Sequence, residues 1–321
     1  MSDASSRFEL SVLLVTYNHE RYIERALDSL FSQDFCGAIE LVIADDASSD
    51  STLACIQRYE GRDARFTFKY LAPSANLGIT RNYQRGFSAC SGTYVAVLEG
   101  DDYWSSPYKL TRQARFLDAH GECGLCSVNY FVFNEDDASF VSRVERGDGY
   151  RLLSARDLIA DNLVGNFSTC LYRKSALDAL PQALFDIKSY DWIVNICVAR
   201  SSLIGFIEEP MSVYRVHSGG AWSHVAHAGQ LELQLSLIPA YDQLTHQLFH
   251  ASFVKLQRHL RKAIVMARRG HSLGTVARAV AWGAANVEQF LPPVVVMLFN
   301  ALTPPVVKKV FLRLIRRGGG V

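Results

Sequence analysis

Four residues, Glu99-Gly100-Asp101-Asp102, end the apolar run Tyr94-Val95-Ala96-Val97-Leu98 and lead into Tyr103-Trp104. The run is short and rich in valine, which marks a buried strand. Three carboxylates within four residues repel one another unless a cation sits among them. Hard divalent ions such as Mg²⁺ take one or two carboxylates and complete their shell with water and substrate phosphates. Open α/β sheets place ligands just beyond the carboxyl ends of their strands. The stretch therefore reads as a metal–diphosphate site. An isolated EGDD would equally serve as an acidic turn capping the next helix, so the rest of the chain must decide.

The elements that would position these carboxylates follow from hydrophobic periodicity. Ser11–Val15 and Leu41–Ala44 are apolar runs of strand length, each ending in a polar cluster: Thr16-Tyr17-Asn18-His19-Glu20 and Asp45-Asp46-Ala47-Ser48-Ser49-Asp50-Ser51-Thr52. Tyr22, Ile23, Ala26, Leu27 and Leu30 recur at helical spacing, and helix-like residues follow Thr52 to Tyr59. Phe66–Leu71 alternates as a third strand, Asn76-Leu77-Gly78 is a turn, and Arg81–Ala89 is a helix. The strand ending at Glu99 comes fourth, and Pro107 stands near the start of the helix after it. Strand and helix alternate four times, which predicts a mostly parallel sheet with helices on both faces. No GxGxxG or Walker A sequence is present, so phosphate must be held by metal and side chains. Farther on, Leu125–Phe133 and Asn166–Tyr172 are expected strands around a charged loop, 134–149. A helix opens at Ser189-Tyr190-Asp191-Trp192, and a strand pair, Leu203–Ile207 and Met211–Val216, is split by Pro210.

Composition excludes disorder: of 321 residues 49% are hydrophobic and 20% charged. The net charge of +1 conceals a segregation. Residues 251–321 hold twelve of the 33 Lys/Arg and only Glu288 of the 32 acidic residues, a balance of +11; residues 1–250 keep 21 basic and 31 acidic groups, a balance of −10. Seven scattered cysteines include a lone pair, Cys123 and Cys126, with no partner set for zinc, so they are expected to be core thiols. Met1–Glu9 is polar and has no apolar core segment of a signal peptide, which predicts a reduced, cytoplasmic setting.

Six separated segments, VTYNHERYIERALDSLFSQ, ELVIADDASSDST, NLGITRNYQRG, YVAVLEGDDYW, YDW and YRVHSGG, closely resemble, in order and spacing, the family-2 glycosyltransferases of the GT-A fold. The resemblance covers roughly residues 9–220. It implies a Rossmann-like catalytic domain over 1–220 and inverting sugar transfer from a nucleotide-diphosphate sugar with Mg²⁺ or Mn²⁺; the charge segregation and helical spacing beyond it predict a basic helical region over 221–321. It places Thr16, Tyr17, Asp46, Arg81, Glu99 and Asp101 on the donor, with Tyr17 against the nucleobase, Asp46 accepting from the base, Arg81 near the diphosphate and Asp101 toward the ribose. Asp102 and His217 fall on the metal, and Asp191 on the catalytic base. Each has a plainer alternative: Asp46 and Asp191 as helix caps, Arg81 as a solvated charge, His217 as a structural residue. Two departures stand out, Glu99 at the first position of the family's DxD motif and Tyr190 where an acid usually precedes Asp191.

A UDP-sugar is the default donor, by family frequency. The expected acceptor is a glycan or lipid-linked hydroxyl in bacterial surface polysaccharide or glycoconjugate assembly, and no nucleic-acid partner is implied. The competing functions are a non-catalytic nucleotide-sugar module and a nucleotidyltransferase; TYNHERYI lacks the glycine-rich, basic loop of the latter. In the tail, Phe253, Leu256, Leu260, Ile264 and Ala267 recur at helical spacing among basic residues, and Val294–Leu298 is apolar but too short to span a bilayer. Such a tail suits peripheral attachment to the inner face of the membrane. Packing on the acidic catalytic domain, or homodimerisation, is the alternative.

Overall fold

The structure is a computed structural model that describes residues 9–71, 75–142, 147, 149–220 and 225–268. Its first half alternates as the periodicity predicts: β1 (Leu10–Thr16), α1 (Ile23–Phe31), β2 (Ile39–Asp45), α2 (Thr52–Gln57), β3 (Phe66–Leu71), α3 (Ile79–Ala89) and β4 (Tyr94–Glu99). Every residue of β1 and β2 is buried, as continuous apolar runs require of strands covered on both faces. A two-residue strand, β5 (Tyr103–Trp104), precedes α4 (Lys109–Ala119). Then come β6 (Cys123–Asn134), β7 (Ser139–Ser142), β8 (Tyr150–Leu153), α5 (Ala155–Ala160), β9 (Cys170–Arg173), α6 (Lys174–Asp178), α7 (Asp191–Val198) and β10 (Leu203–Val216). Two helices, α8 (His227–Leu244) and α9 (His250–Arg268), follow.

The sheet runs β3-β2-β1-β4-β9-β6-β10-β5, with β7 added on β6 and β8 on β10. Strands β3, β2, β1 and β4 are parallel. Because β9 is antiparallel to both β4 and β6, and β6 is parallel to β10, the long strands all point one way. Thr16, Asp45, Glu99 and Val216 therefore end at one rim.

Three local expectations change. The strand pair around Pro210 is one strand, β10: it keeps pairing with β6 by skipping Glu208 and Glu209, a bulge that accommodates a residue with no N–H to donate. Asn166–Tyr172 is not all strand; Phe167–Thr169 forms a 3-10 turn and pairing begins at Cys170. The 134–149 loop contains β7, hairpinned onto β6.

All seven cysteines are free thiols, six of them buried. The chain divides into two compact units, one running up to Val225 and including Ser236–Leu256, the other made of Ala226–Leu235 and the chain from Gln257. Among the described residues, no helix is long and apolar enough to cross a membrane. In α9 the expected stripe is present, with Phe253, Leu260 and Ile264 buried and Lys255, Arg258, Arg261 and Lys262 exposed. The expectations for Val294–Leu298 and the basic terminus lie outside the described residues.

Candidate active site

The loops after β1 and β2 are laced together by their polar residues. Asn18 N–H donates to Ser48 Oγ (2.8 Å), Ser49 N–H to Asn18 Oδ1 (2.8 Å), His19 N–H to Thr52 Oγ1 (2.8 Å) and Ser51 N–H to Glu20 Oε2 (2.9 Å). The Asp/Ser/Thr cluster thus does more than start α2: it fixes the loop that carries Thr16, Tyr17 and His19. Tyr17 stands 46% exposed on this rim. Asp46 is buried, and its two oxygens accept the N–H groups of Leu77 and Gly78 (2.8 and 2.9 Å). It therefore ties down the turn before α3, not the helix that follows it in sequence.

Between these loops and the end of β10 lies the acidic cluster. Gly100 is required there: a Cβ would come within 2.8 Å of both His19 Nδ1 and Thr16 Oγ1. Asp101 Oδ2 lies 3.1 Å from His217 Nε2 and 3.7 Å from His19 Nε2. Burial raises Asp101's pKa, but the hydrogen bond with His217 and the adjacent imidazoles outweigh it and hold the group below its ordinary value. Burial, with Asp101 beside it, drives Asp102 well above its own; the Arg215 N–H bonded to Oδ1 (2.9 Å) offsets only part of this. Glu99 is raised by burial and by both aspartates, and it accepts the Tyr83 hydroxyl (2.8 Å). Burial lowers His19, which keeps its imidazole neutral against the pull of Asp101.

Asp102 Oδ2, Thr16 Oγ1 and His19 Nδ1 are buried without hydrogen-bond partners. Buried polar atoms are nearly always paired, so three unpaired ones in one cluster suit residues arranged to hold a ligand. Carboxylate oxygen with neutral imidazole suits Mn²⁺, and carboxylates with substrate phosphate suit Mg²⁺. The residues present fit such an ion. Among the described residues, no three His, Cys, Asp or Glu side chains by themselves form a metal cage.

Asp191 is the first residue of α7, and Tyr190 rather than Asp191 holds the cap position. Asn162 Nδ2 donates to its Oδ2 (3.3 Å). Burial raises Asp191 to about 6, with the Asn162 bond and the Trp192 N–H opposing. Its charge adds to the rise of Glu99, as the smallest of the influences on that group. Arg81 is not brought to the cluster; its guanidinium pairs with Asp186 (2.9 Å) and Gln84 (2.8 Å) on the exposed face of α3. His19, Tyr83, Asn162 and Arg215 join the site without having been marked in the sequence. His19, two residues beyond Tyr17, Arg215, two before His217, and Tyr83 all lie within the quoted segments and could have been found there; Asn162 lies outside them.

The sequence profile described as "Glycosyl transferase family 2" matches residues 11–180. The chain belongs to that family. An uncharacterized protein of Mycobacterium tuberculosis (strain ATCC 25618 / H37Rv) is 35% identical to this glycosyltransferase-family chain over 216 residues, 66% of the chain and 60% of the relative. The chain thus matches less than two thirds of that relative's length. Two solved structures share its fold. The UDP-GlcNAc complex of S. aureus TarS 1–349 has a TM-score of 0.56 at 19% identity, covering 75% of this chain and 71% of its own. A Pyrobaculum calidifontis mannosyltransferase in complex with GDP-Man and Mn²⁺ has a TM-score of 0.53 at 18% identity, covering 88% and 81%. The GT-A fold shared with these structures accounts for the parallel half-sheet whose strands end at one rim.

Proposed function

We propose that this chain transfers a sugar, with inversion, from a nucleoside-diphosphate sugar to an acceptor hydroxyl. The observation that carries this reading is the pairing of a buried carboxylate of raised pKa, Asp191, with an acidic cluster whose Asp102 Oδ2 lacks a partner. An inverting transfer needs one base. The acceptor oxygen attacks the anomeric carbon and gives its proton to Asp191; the bond from that carbon to the diphosphate oxygen breaks, and its electron pair leaves with the diphosphate. A divalent ion held by Asp102 and His217 would stabilise the negative charge developing on the diphosphate. Asn162 orients the base. Tyr17, exposed on the rim, stacks on the nucleobase, and the Asp46-anchored turn forms the far wall of the base site. Thr16, Glu99 and Asp101 face the donor's ribose and phosphates. Arg81 serves the diphosphate by exchanging Asp186 for it.

UDP is the nucleotide we expect the donor to carry, in line with the TarS complexes, and GDP is the first alternative. The acceptor we expect is a glycan or lipid-linked hydroxyl of the cell surface. The buried stripe of α9 leaves its basic face to meet anionic lipid electrostatically, the means by which we place the enzyme at a membrane surface. A thermal-shift panel of UDP, GDP and dTDP with Mn²⁺ tests the donor. A nucleotide at 100 times its Kd adds about 2.7 kcal/mol, and no shift with any nucleotide contradicts the reading.

A further inference from the structure

One segment runs from the base to the acidic cluster, and a single side chain along it is left over. Asn162 holds Asp191 at one end. At the other, Ser168 Oγ accepts the Glu99 N–H (3.1 Å), and Phe167 stacks on Tyr83, the residue that bonds Glu99, with ring centroids 4.1 Å apart. Between them sits Asn166, 7% exposed. Its backbone is satisfied: the N–H donates to Val164 O (3.2 Å), and the carbonyl accepts the Thr169 hydroxyl (2.8 Å). Its side chain is not, since neither Oδ1 nor Nδ2 has a hydrogen-bond partner. A wholly unpaired buried amide is rare, because leaving it so sacrifices the hydrogen bonds it had with water.

The reaction chemistry says what belongs there. In an inverting transfer the sugar ring lies between the diphosphate, bound at the acidic cluster, and the base on the opposite side of the anomeric carbon. A carboxamide offers one acceptor and two donors, which matches a sugar hydroxyl that both gives and takes a hydrogen bond. We propose, resting on the function proposed above, that Asn166 binds a hydroxyl of the transferred sugar and so helps choose the sugar. Sites built to pair a substrate hydroxyl discriminate strongly, because the wrong substrate leaves the buried group unpaired.

The test compares UDP with UDP-GlcNAc, and GDP with GDP-mannose, by calorimetry with Mn²⁺ on wild type and Asn166→Leu, a near-isosteric apolar change. Expected are unchanged binding of the nucleoside diphosphates and a loss of about tenfold for the sugar nucleotide that wild type prefers. The ligand-free variant should also unfold about 2–4 °C higher, since an unpaired amide is removed. A purely structural asparagine would lower that temperature instead. If Asn166→Leu does not fold, Asn166→Ser carries the same binding comparison. Equal sugar-nucleotide affinity in variant and wild type, or a lowered unfolding temperature, overturns the inference alone. Failure of wild type to bind any of these nucleotides overturns the proposed function, and the inference with it.

Discussion

Replacing Asp191 with Asn should slow the enzyme and stabilise it at the same time. The carboxyl titrates near 6 in the fold because burial disfavours its charge, against about 3.9 in an unfolded chain. Between those values the folded state holds a proton that the unfolded state has lost, so stability falls as pH rises through that window and levels off above it. Keeping this carboxyl charged in the fold costs roughly 3 kcal/mol, which at about 2–4 °C per kcal/mol is a gain of several degrees for Asp191→Asn at pH 8. At pH 4.5 the gain should shrink to about 1 kcal/mol, because the carboxyl is then protonated in the fold while most unfolded chains have already lost that proton, and it should vanish only below the unfolded value. Turnover should drop about 10²–10⁴-fold while nucleotide binding stays intact, as expected on loss of a general base. The wild-type rate should fall on the acid side with a midpoint near 6. Thermal unfolding at the two pH values, beside steady-state kinetics, reads all of this. An Asp191→Asn protein that is less stable at pH 8, or that turns over normally, would refute both the buried charge and its role as base.

Other consequences are independent of the base. Lys109 is buried over the Trp104 ring (4.3 Å) and donates to Gln113 Oε1 (2.8 Å), and burial lowers it to about 7. Its unfolded form binds the extra proton between about pH 7 and 10, so Lys109→Met should stabilise more at pH 6 than at pH 9; equal effects in melts at both pH values would contradict this. Gly100→Ala should force Thr16 and His19 aside, destabilise by about 1–3 kcal/mol and weaken the Mn²⁺–nucleotide thermal shift; an unchanged shift would mean that the cluster does not hold the donor. Reversing Lys255, Arg258, Arg261 and Lys262 to Glu should abolish flotation with anionic liposomes at low salt, each charge near the surface contributing about 1 kcal/mol. Flotation as strong as wild type would discard the α9 surface as the membrane contact.

The sequence makes the parallel half of the fold legible because β1 and β2 are covered on both faces and so read as unbroken apolar runs. It hides β7, a short edge strand whose Phe140 and Val141 stay largely exposed, and it splits β10 at Pro210, where only the folded sheet shows pairing resumed across the bulge. Glu99, Asp101 and Asp102 could be marked because clustered carboxylates at a strand end need a reason, whereas Asp191, alone between Tyr190 and Trp192, is marked by the resemblance. Asp46 could be found but not its partners, since Leu77 and Gly78 lie some thirty residues away in sequence. Asn162 and Asn166 could not, because an amide in a loop carries no periodic signal. What distinguishes them, a side-chain bond to Asp191 in one and no side-chain bond in the other, exists only after folding.

The most direct test of glycosyl transfer at this site is phosphorus NMR of the products from a UDP-sugar or GDP-sugar, a saccharide acceptor and Mn²⁺, with wild type and Asp102→Asn. Wild type should release the nucleoside diphosphate, and neither Asp102→Asn nor wild type in excess chelator should do so. Release of pyrophosphate, or undiminished nucleoside diphosphate from Asp102→Asn or in chelator, would contradict the account.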